Sequence, residues 1–287
     1  MKYPPVPSRT VLVTGCSTGI GAATALWLKE RGWTVFPTAR KPDDLENLRR
    51  TGFTPIEMDM SDADSVARGA DQVLTACDGA LGAVVNNAGY GQSGAVEDVA
   101  REHLRRQFEV NVFGLQDLTN RLLPAMRQQG AGRVVHISSV VGQLSVPYLG
   151  VYSASKFAVE ALADAQRVEL RDTGIAVSLV EPGPIVTEFR RTCARAAEET
   201  LDLEASRNAD LYRSELERRA KQPRQRDGFS KSPQAVAMKI AHALESARPR
   251  RRYFITLHAY TGFLARRFVP AALIDASLAV GIKLKRQ

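Results

Sequence analysis

The chain has 287 residues, 44% hydrophobic and 24% charged, which supports one large core and leaves too little length for two comparable ones. Its moderate glycine and proline contents exclude a disordered or fibrous chain. The net charge of +8 is confined to residues 248–287, which hold nine Lys or Arg against one acid, Asp275, so that the rest of the chain is neutral.

The N-terminal MKYPPVPSR reaches its first strand without the apolar stretch of roughly 7 to 15 residues that marks a signal peptide, so a cytoplasmic location is expected. Cys16, Cys77 and Cys193 lack CxxC spacing, and His103, His136, His242 and His258 are scattered, so neither a disulfide framework nor a metal site is expected. The first element is TVLVTG, residues 10–15, a β-branched run closed by glycine and followed by the helical period of GIGAATALWLKERG. Further short buried strands are predicted at Trp33–Thr38, Thr54–Met58, Ala83–Asn86, Arg133–Ser138 and Ala176–Val180. Enough chain separates each from the next for a helix, the pattern of a parallel sheet covered on both faces. Among those helices, Ser61 is expected to cap Asp62–Thr75. Arg101–Gln128 reads as one long helix bending before Pro124, and Tyr152–Asp172 as another ended by Gly174. Beyond Pro182 the alternation stops. Residues 188–247 read as charged helices with a loop at 221–233.

The glycine turn after the first strand carries Gly15, Ser17, Thr18, Gly19, Ile20 and Gly21. Glycines let the backbone approach a pyrophosphate, and the helix start offers unpaired N–H groups and the positive dipole end to it, so the turn is a candidate dinucleotide site. At the end of the second strand, where an acid would hydrogen-bond an unmodified ribose, stand Arg40 and Lys41. Two cations suit a 2'-phosphate, so NADP(H) is expected over NAD(H), a solvated basic turn being the alternative.

Three further motifs accompany TGCSTGIG: NNAG at 86–89, Asn111 within EVNVFG, and Ser139 thirteen residues before Tyr152-Ser-Ala-Ser-Lys156. Each residue alone has an ordinary structural explanation. In this order and spacing they resemble the short-chain dehydrogenase/reductase family over residues 9–190, and the wording VLVTGCSTGIG and YSASKFAVEAL is similar to its hydroxysteroid and retinol dehydrogenase branch. The resemblance implies an α/β fold, a single Rossmann-type doubly wound parallel sheet in one domain, 1–287. Residues 9–190 would be its nucleotide-binding and catalytic core, 188–247 substrate-side helices and 248–287 a basic, apolar C-terminal extension. It implies an oxidoreductase that interconverts a carbonyl and an alcohol by hydride transfer, and a homodimer or homotetramer built on the long helices at 101–128 and 152–172.

The chemistry accounts for the residue types. A ketone that accepts hydride must then be protonated, and a tyrosine with an ordinary pKa of about 10 serves better when a nearby cation favours its anion. Lys156 follows Tyr152 by one helical turn and is expected to lower the phenol pKa. The resemblance gives Lys156 a second contact with the nicotinamide ribose, Ser139 a hydrogen bond to the substrate oxygen, and Asn111 a water for proton relay. It also implies that Asp59, with Met60 beside it, reads the adenine, a helix-capping acid before Asp62 being the alternative, and that Asn86, Asn87, Ala88 and Gly89 run along the cofactor more through backbone than side chains. Pro182, Gly183, Ile185 and Thr187 of EPGPIVT would hold the nicotinamide amide and fix which face meets the substrate.

Leu144, Val146, Pro147, Tyr148, Leu149 and Phe189 offer an apolar wall without a placed charge, which points to a lipophilic carbonyl or alcohol. Reduction of a 3-oxoacyl thioester and a non-catalytic, NADP(H)-sensing protein are the competing readings. The C-terminal segment can be a lid, a subunit contact or a peripheral membrane helix, since its apolar run Phe268–Ile282 is interrupted and too short to span a bilayer. Its basic residues lack the aromatic partners of a nucleic-acid groove.

Overall fold

The computed structural model describes residues 1–214 and 230–286. Its seven strands are β1 Thr10–Val13, β2 Thr34–Ala39, β3 Ile56–Glu57, β4 Ala83–Asn86, β5 Gly132–Ile137, β6 Ile175–Glu181 and β7 Arg252–Phe254. All pairs are parallel, in the order β3-β2-β1-β4-β5-β6-β7. Every residue of β4, β5 and β6 is buried, which explains why these strands read as continuous apolar runs rather than alternating ones.

The α-helices whose bounds lie within the described residues begin with α1 Gly19–Glu30, α2 Pro42–Arg50, α3 Ala63–Ala76, α4 Arg101–Phe108, α5 Gly114–Gln128 and α6 Gly150–Glu169. They continue with α7 Phe189–Thr200, α8 Pro233–Glu245, α9 Leu257–Phe268 and α10 Ala271–Arg286. Strand periodicity sorts the core into two layers. Val11 and Val13 pack with Ala25 and Leu28 of α1 and Val236 and Ile240 of α8. Leu12 faces the other way, into Val66 of α3, Leu118 and Leu122 of α5 and Val159 of α6. Because β1 pairs with both β2 and β4, the chain reverses direction across the sheet beside β1, and a crevice opens at the strand ends there.

Several local expectations are corrected. Asp62, not Ser61, caps α3, its own carboxylate accepting from the Asp64 N–H. The long helix runs through Pro124 and is interrupted earlier, at Glu109–Phe113, where the backbone forms a π-helical turn between α4 and α5. The Asn111 side chain is held there by the backbone of Tyr90, and a Cβ at Gly114 would collide with the Met60 carbonyl oxygen, so neighbouring contacts shape this turn. Three residues of the segment read as a C-terminal extension, Arg252–Phe254, join the sheet as β7. Of the loop expected at 221–233, residues 221–229 lie outside the described residues. Lys231 pairs with Ile185, and Pro233 opens α8.

Candidate active site

The site is assembled at the ends of β1, β4, β5 and β6. Thr14 follows β1, and its hydroxyl accepts the N–H groups of Asn87 and Ala88, each at 2.9 Å. Asn87 returns two bonds, its Nδ2 donating to the carbonyls of Thr14 at 2.8 Å and Gly15 at 3.0 Å. The two strand ends are thereby locked to each other. Gly15 has φ +69°, and a Cβ there would stand 2.8 Å from the Ala88 Cα, so the position demands glycine on both counts.

Gly19 opens α1 with φ +63° and lies against the methyl of Thr187. Thr18 occupies the cap position in extended backbone without a side-chain cap bond. The helix therefore starts with no acceptor of its own for its first amides, the condition under which a helix N-terminus receives an anion. Ser17 and Thr18 are exposed, Ile20 packs on the core, and Gly21 is buried against the Gly15 carbonyl and Asn87.

Arg40 and Lys41 follow β2 and are exposed. Arg40 Nη1 lies 3.8 Å from Asp59 Oδ2, a loose pair of two solvent-facing groups that leaves the guanidinium able to meet another anion. Burial pulls the Asp59 pKa up, but hydrogen bonds from the Ser61 N–H and hydroxyl, helped by the Arg40 charge, outweigh it and hold the carboxyl below its ordinary range. An uncapped glycine turn with Arg40 beyond it fits a dinucleotide bearing a further phosphate. The Met60 side chain is buried in the core, so it is the backbone of Met60 that faces a ligand beside Asp59. The Asn86 amide donates to Thr119 and faces His136 inside the sheet, which leaves its backbone to the crevice.

Ser139 follows β5, and its hydroxyl accepts the Val141 N–H at the start of a short 3-10 turn, Val140–Gly142. Tyr152 and Lys156 lie one turn apart on the inner face of α6, both buried. The Lys156 Nζ stands 5.8 Å from the centre of the Tyr152 ring and donates to the Ile137 carbonyl at 2.8 Å. Burial, with a smaller contribution from Cys193, pushes the Tyr152 phenol up, while a hydrogen bond with the Ser139 hydroxyl opposes it. The direction is the reverse of the sequence expectation, because removing the phenol from water dominates. Burial also lowers Lys156, to about 8, with Glu160 pulling it back up.

Asn111 donates from Nδ2 to the Tyr90 carbonyl and to Ser155 Oγ, and its Oδ1 accepts the Tyr90 N–H at 3.1 Å. A Cβ placed at Gly89 would stand 3.0 Å from Asn111 Oδ1 and 3.8 Å from Lys156 Nζ, so these three residues meet at one point. The Pro182 carbonyl accepts the Val140 N–H at 2.9 Å, Gly183 has no room for a side chain against Thr256, and Ile185 bridges to Lys231. The segment after β6 is thus fixed at both ends beside the Ser139 turn.

Phe189 closes over the site, its ring 5.3 Å from that of Tyr152. Leu144 and Leu149 are half-buried. Tyr148, with φ +63°, packs edge-on against Tyr212 at 6.3 Å. Sequence reasoning missed Tyr212, whose hydroxyl donates to Asp98 at 2.6 Å and so ties the chain after α7 to the wall opposite. It also missed a buried charge cluster behind Lys156. Arg252 of β7 bonds Glu160 of α6, Glu181 of β6 at 2.9 Å and Asp164 at 2.7 Å. Glu160 lies four residues after Lys156, a spacing that was available to be read. Among the described residues no group of His, Cys, Asp or Glu could hold a metal ion, and none of Cys16, Cys77 and Cys193 forms a disulfide.

The sequence profile of a family described as short chain dehydrogenase matches residues 9–198. The oxidoreductase YbbO of Escherichia coli (strain K12) is 40% identical over 273 residues, covering 95% of each chain. Human retinol dehydrogenase 8 is 37% identical over 191 residues, 63% of this chain and 60% of that protein. In three dimensions, a short-chain dehydrogenase from Streptomyces avermitilis superposes with a TM-score of 0.75 at 31% identity, covering 98% of both chains.

Proposed function

The chain belongs to the short-chain dehydrogenase family, in the branch with retinol dehydrogenase-like members, and from that premise we propose an NADP(H)-dependent enzyme for lipophilic ketones or aldehydes and their alcohols. The family acts on CH–OH donors with a nicotinamide cofactor. The observation that carries the finer reading is the convergence of Tyr152, Ser139, Lys156 and Asn111 at the crevice beside the uncapped start of α1, with Arg40 at its far end.

A bound nicotinamide dinucleotide supplies hydride in reduction and accepts it in oxidation. Gly15, Ser17, Thr18, Gly19, Ile20 and Gly21 would hold its pyrophosphate, and Arg40 with Lys41 its 2'-phosphate. Asp59 and the backbone of Met60 would border the adenine, and Asn87, Ala88 and Gly89 would line the path between. Pro182, Gly183, Ile185 and Thr187 would hold the amide end. Ser139 orients the substrate oxygen. Tyr152 delivers a proton from its Oη to that oxygen in reduction and takes one in oxidation. Burial keeps the proton on Tyr152 at neutral pH, the state a general acid needs, and the Lys156 ammonium lessens the cost of the phenolate left behind. Asn111 braces Tyr90 and Ser155 around this pair and carries the proton relay through water. Leu144, Tyr148, Leu149 and Phe189 exclude water and favour an apolar substrate.

We assign the enzyme to the cytoplasm, in keeping with three cysteines that form no disulfide, as a homo-oligomer paired through α4, α5 and α6. The test is fluorescence titration with NADPH and NADH on the native chain and Arg40→Ala, followed by turnover of hydrophobic ketones by Tyr152→Phe. The expected result is an NADPH preference that Arg40→Ala removes, and turnover that Tyr152→Phe abolishes while cofactor affinity persists. Equal binding of both nucleotides overturns the Arg40 assignment, and turnover surviving in Tyr152→Phe overturns the catalytic one.

A further inference from the structure

The last two helices expose apolar surface that no described residue covers. α9 turns one face inward: Ala259 and Gly262 are buried, Gly262 against Val140, and Phe263 stacks on Phe254 at 5.2 Å. Its outward face is apolar as well. Leu257, Tyr260, Leu264 and Phe268 fall at i, i+3, i+7 and i+11, one stripe along the helix, and Phe268 is 76% exposed. In α10, from Ala271 to Val280, only Ile274 and Leu278 are half-buried. Every other residue there is exposed, Leu273 at 62% and Val280 at 56%, and the one charge in that stretch is Asp275. A helix that is apolar around most of its girth requires a covering phase.

We propose that α9 and α10 form a docking surface for an anionic lipid bilayer and lie in its interface rather than crossing it. No helix among the described residues is long and apolar enough to cross a membrane, and α10 has 16 residues. The occupant follows from charge. Arg266 and Arg267 are exposed at the end of α9, and the sequence places Lys283, Lys285 and Arg286 after the apolar run. Arg266 and Arg267 stand on this surface in every copy, so a second copy docked face to face on it would bring like charges together. A layer of anionic headgroups neutralises that charge while its acyl chains receive Phe268, Leu273 and Val280.

The position suits the site. Gly262 on the inward face of α9 rests on Val140, the residue after Ser139, and Arg266 lies over Phe157 of α6 at 5.2 Å, so α9 runs beside the candidate active site with its apolar stripe turned outward. If the enzyme takes a lipophilic substrate, a point that rests on the proposed function, the substrate then reaches it from the bilayer without passing through water.

The test needs neither substrate nor cofactor. The purified full chain is mixed with phosphatidylcholine vesicles, with or without phosphatidylglycerol, and floated on a density gradient at low and high salt. Flotation with the anionic vesicles, its loss on phosphatidylcholine alone and its release by salt are expected. Leu273→Glu should lower the bound fraction roughly tenfold, and Arg266→Glu with Arg267→Glu should remove the dependence on phosphatidylglycerol. The far-UV circular dichroism spectrum and the thermal unfolding midpoint should be unchanged in these variants, which shows them folded. A chain that stays at the bottom with both vesicles overturns the proposal, as does flotation indifferent to lipid charge. Absence of flotation together with a sedimenting oligomer that Leu273→Glu dissociates gives the face to a second copy instead. Intact flotation without turnover counts against the proposed function alone.

Discussion

Lys156 holds its ammonium close to neutrality because burial has lowered its pKa to about 8, and the charge therefore disappears just above the physiological range. The sign is direct. Below about pH 8 the ammonium is present and favours loss of the Tyr152 proton to substrate, and above it the favourable charge is gone. The rate of ketone reduction at saturating NADPH should accordingly be flat on the acid side and fall through pH 8. Lys156→Arg keeps its charge at high pH and should extend the plateau, at a lower rate because a planar guanidinium cannot reproduce the bond to the Ile137 carbonyl. An alkaline limb unmoved in Lys156→Arg would assign it to another group. The pairing of Tyr152 with Lys156 was legible from a spacing of four on a helix. The direction of the Tyr152 shift was not, since it depends on how completely β5, α6 and Phe189 exclude water, which no local pattern encodes.

At the scale of elements, β7 shows where legibility ended. Three residues, Arg-Tyr-Phe, inside a run of arginines carry no strand period, so the segment read as a charged extension. Its place in the sheet is fixed by a partner instead: Arg252 reaches Glu160 and Glu181 from beside β6 and joins the catalytic helix to the strand before the nicotinamide segment. Burial pushes both carboxyls up, Glu181 to about 7 with the Glu160 charge adding to it, against the pull of Arg252. Removing the cation should leave two buried acids uncompensated. Arg252→Met is expected to lower stability in urea by about 3–5 kcal/mol. Adding Glu160→Gln and Glu181→Gln to that variant should recover most of the loss, because the neutral amides no longer need a countercharge. A loss that the triple variant does not recover would show that the arginine acts through its packed stem rather than its charge. The strands β1 to β6, by contrast, were readable to within two residues at each end, because parallel strands buried on both faces appear as apolar runs with helical spacers.

The whole molecule also exposes a small apolar patch, distinct from α9 and α10, where α4 meets the π-helical turn. Leu104 and Phe113 project from it, and Phe113 is 54% exposed while its ring tilts against Phe108 at 6.3 Å. The irregular turn at Glu109–Phe113 aims Phe113 outward while keeping Asn111 buried at the active site, so one local distortion serves the interior and the surface together. An interface here would couple assembly to the geometry of the catalytic group through five residues. Phe113→Glu places a charge on that face. Because an exposed side chain of the monomer is replaced, folding should change by no more than about 0.5 kcal/mol, whereas association should weaken on the order of 30-fold if Phe113 anchors the contact. Light scattering after size exclusion should then report a fall to monomer mass with NADPH affinity kept. If turnover falls with the mass while affinity holds, the interface supports Asn111 through the π-helical turn. If mass falls and turnover is unchanged, the turn is rigid within one subunit, and assembly through this face serves another purpose.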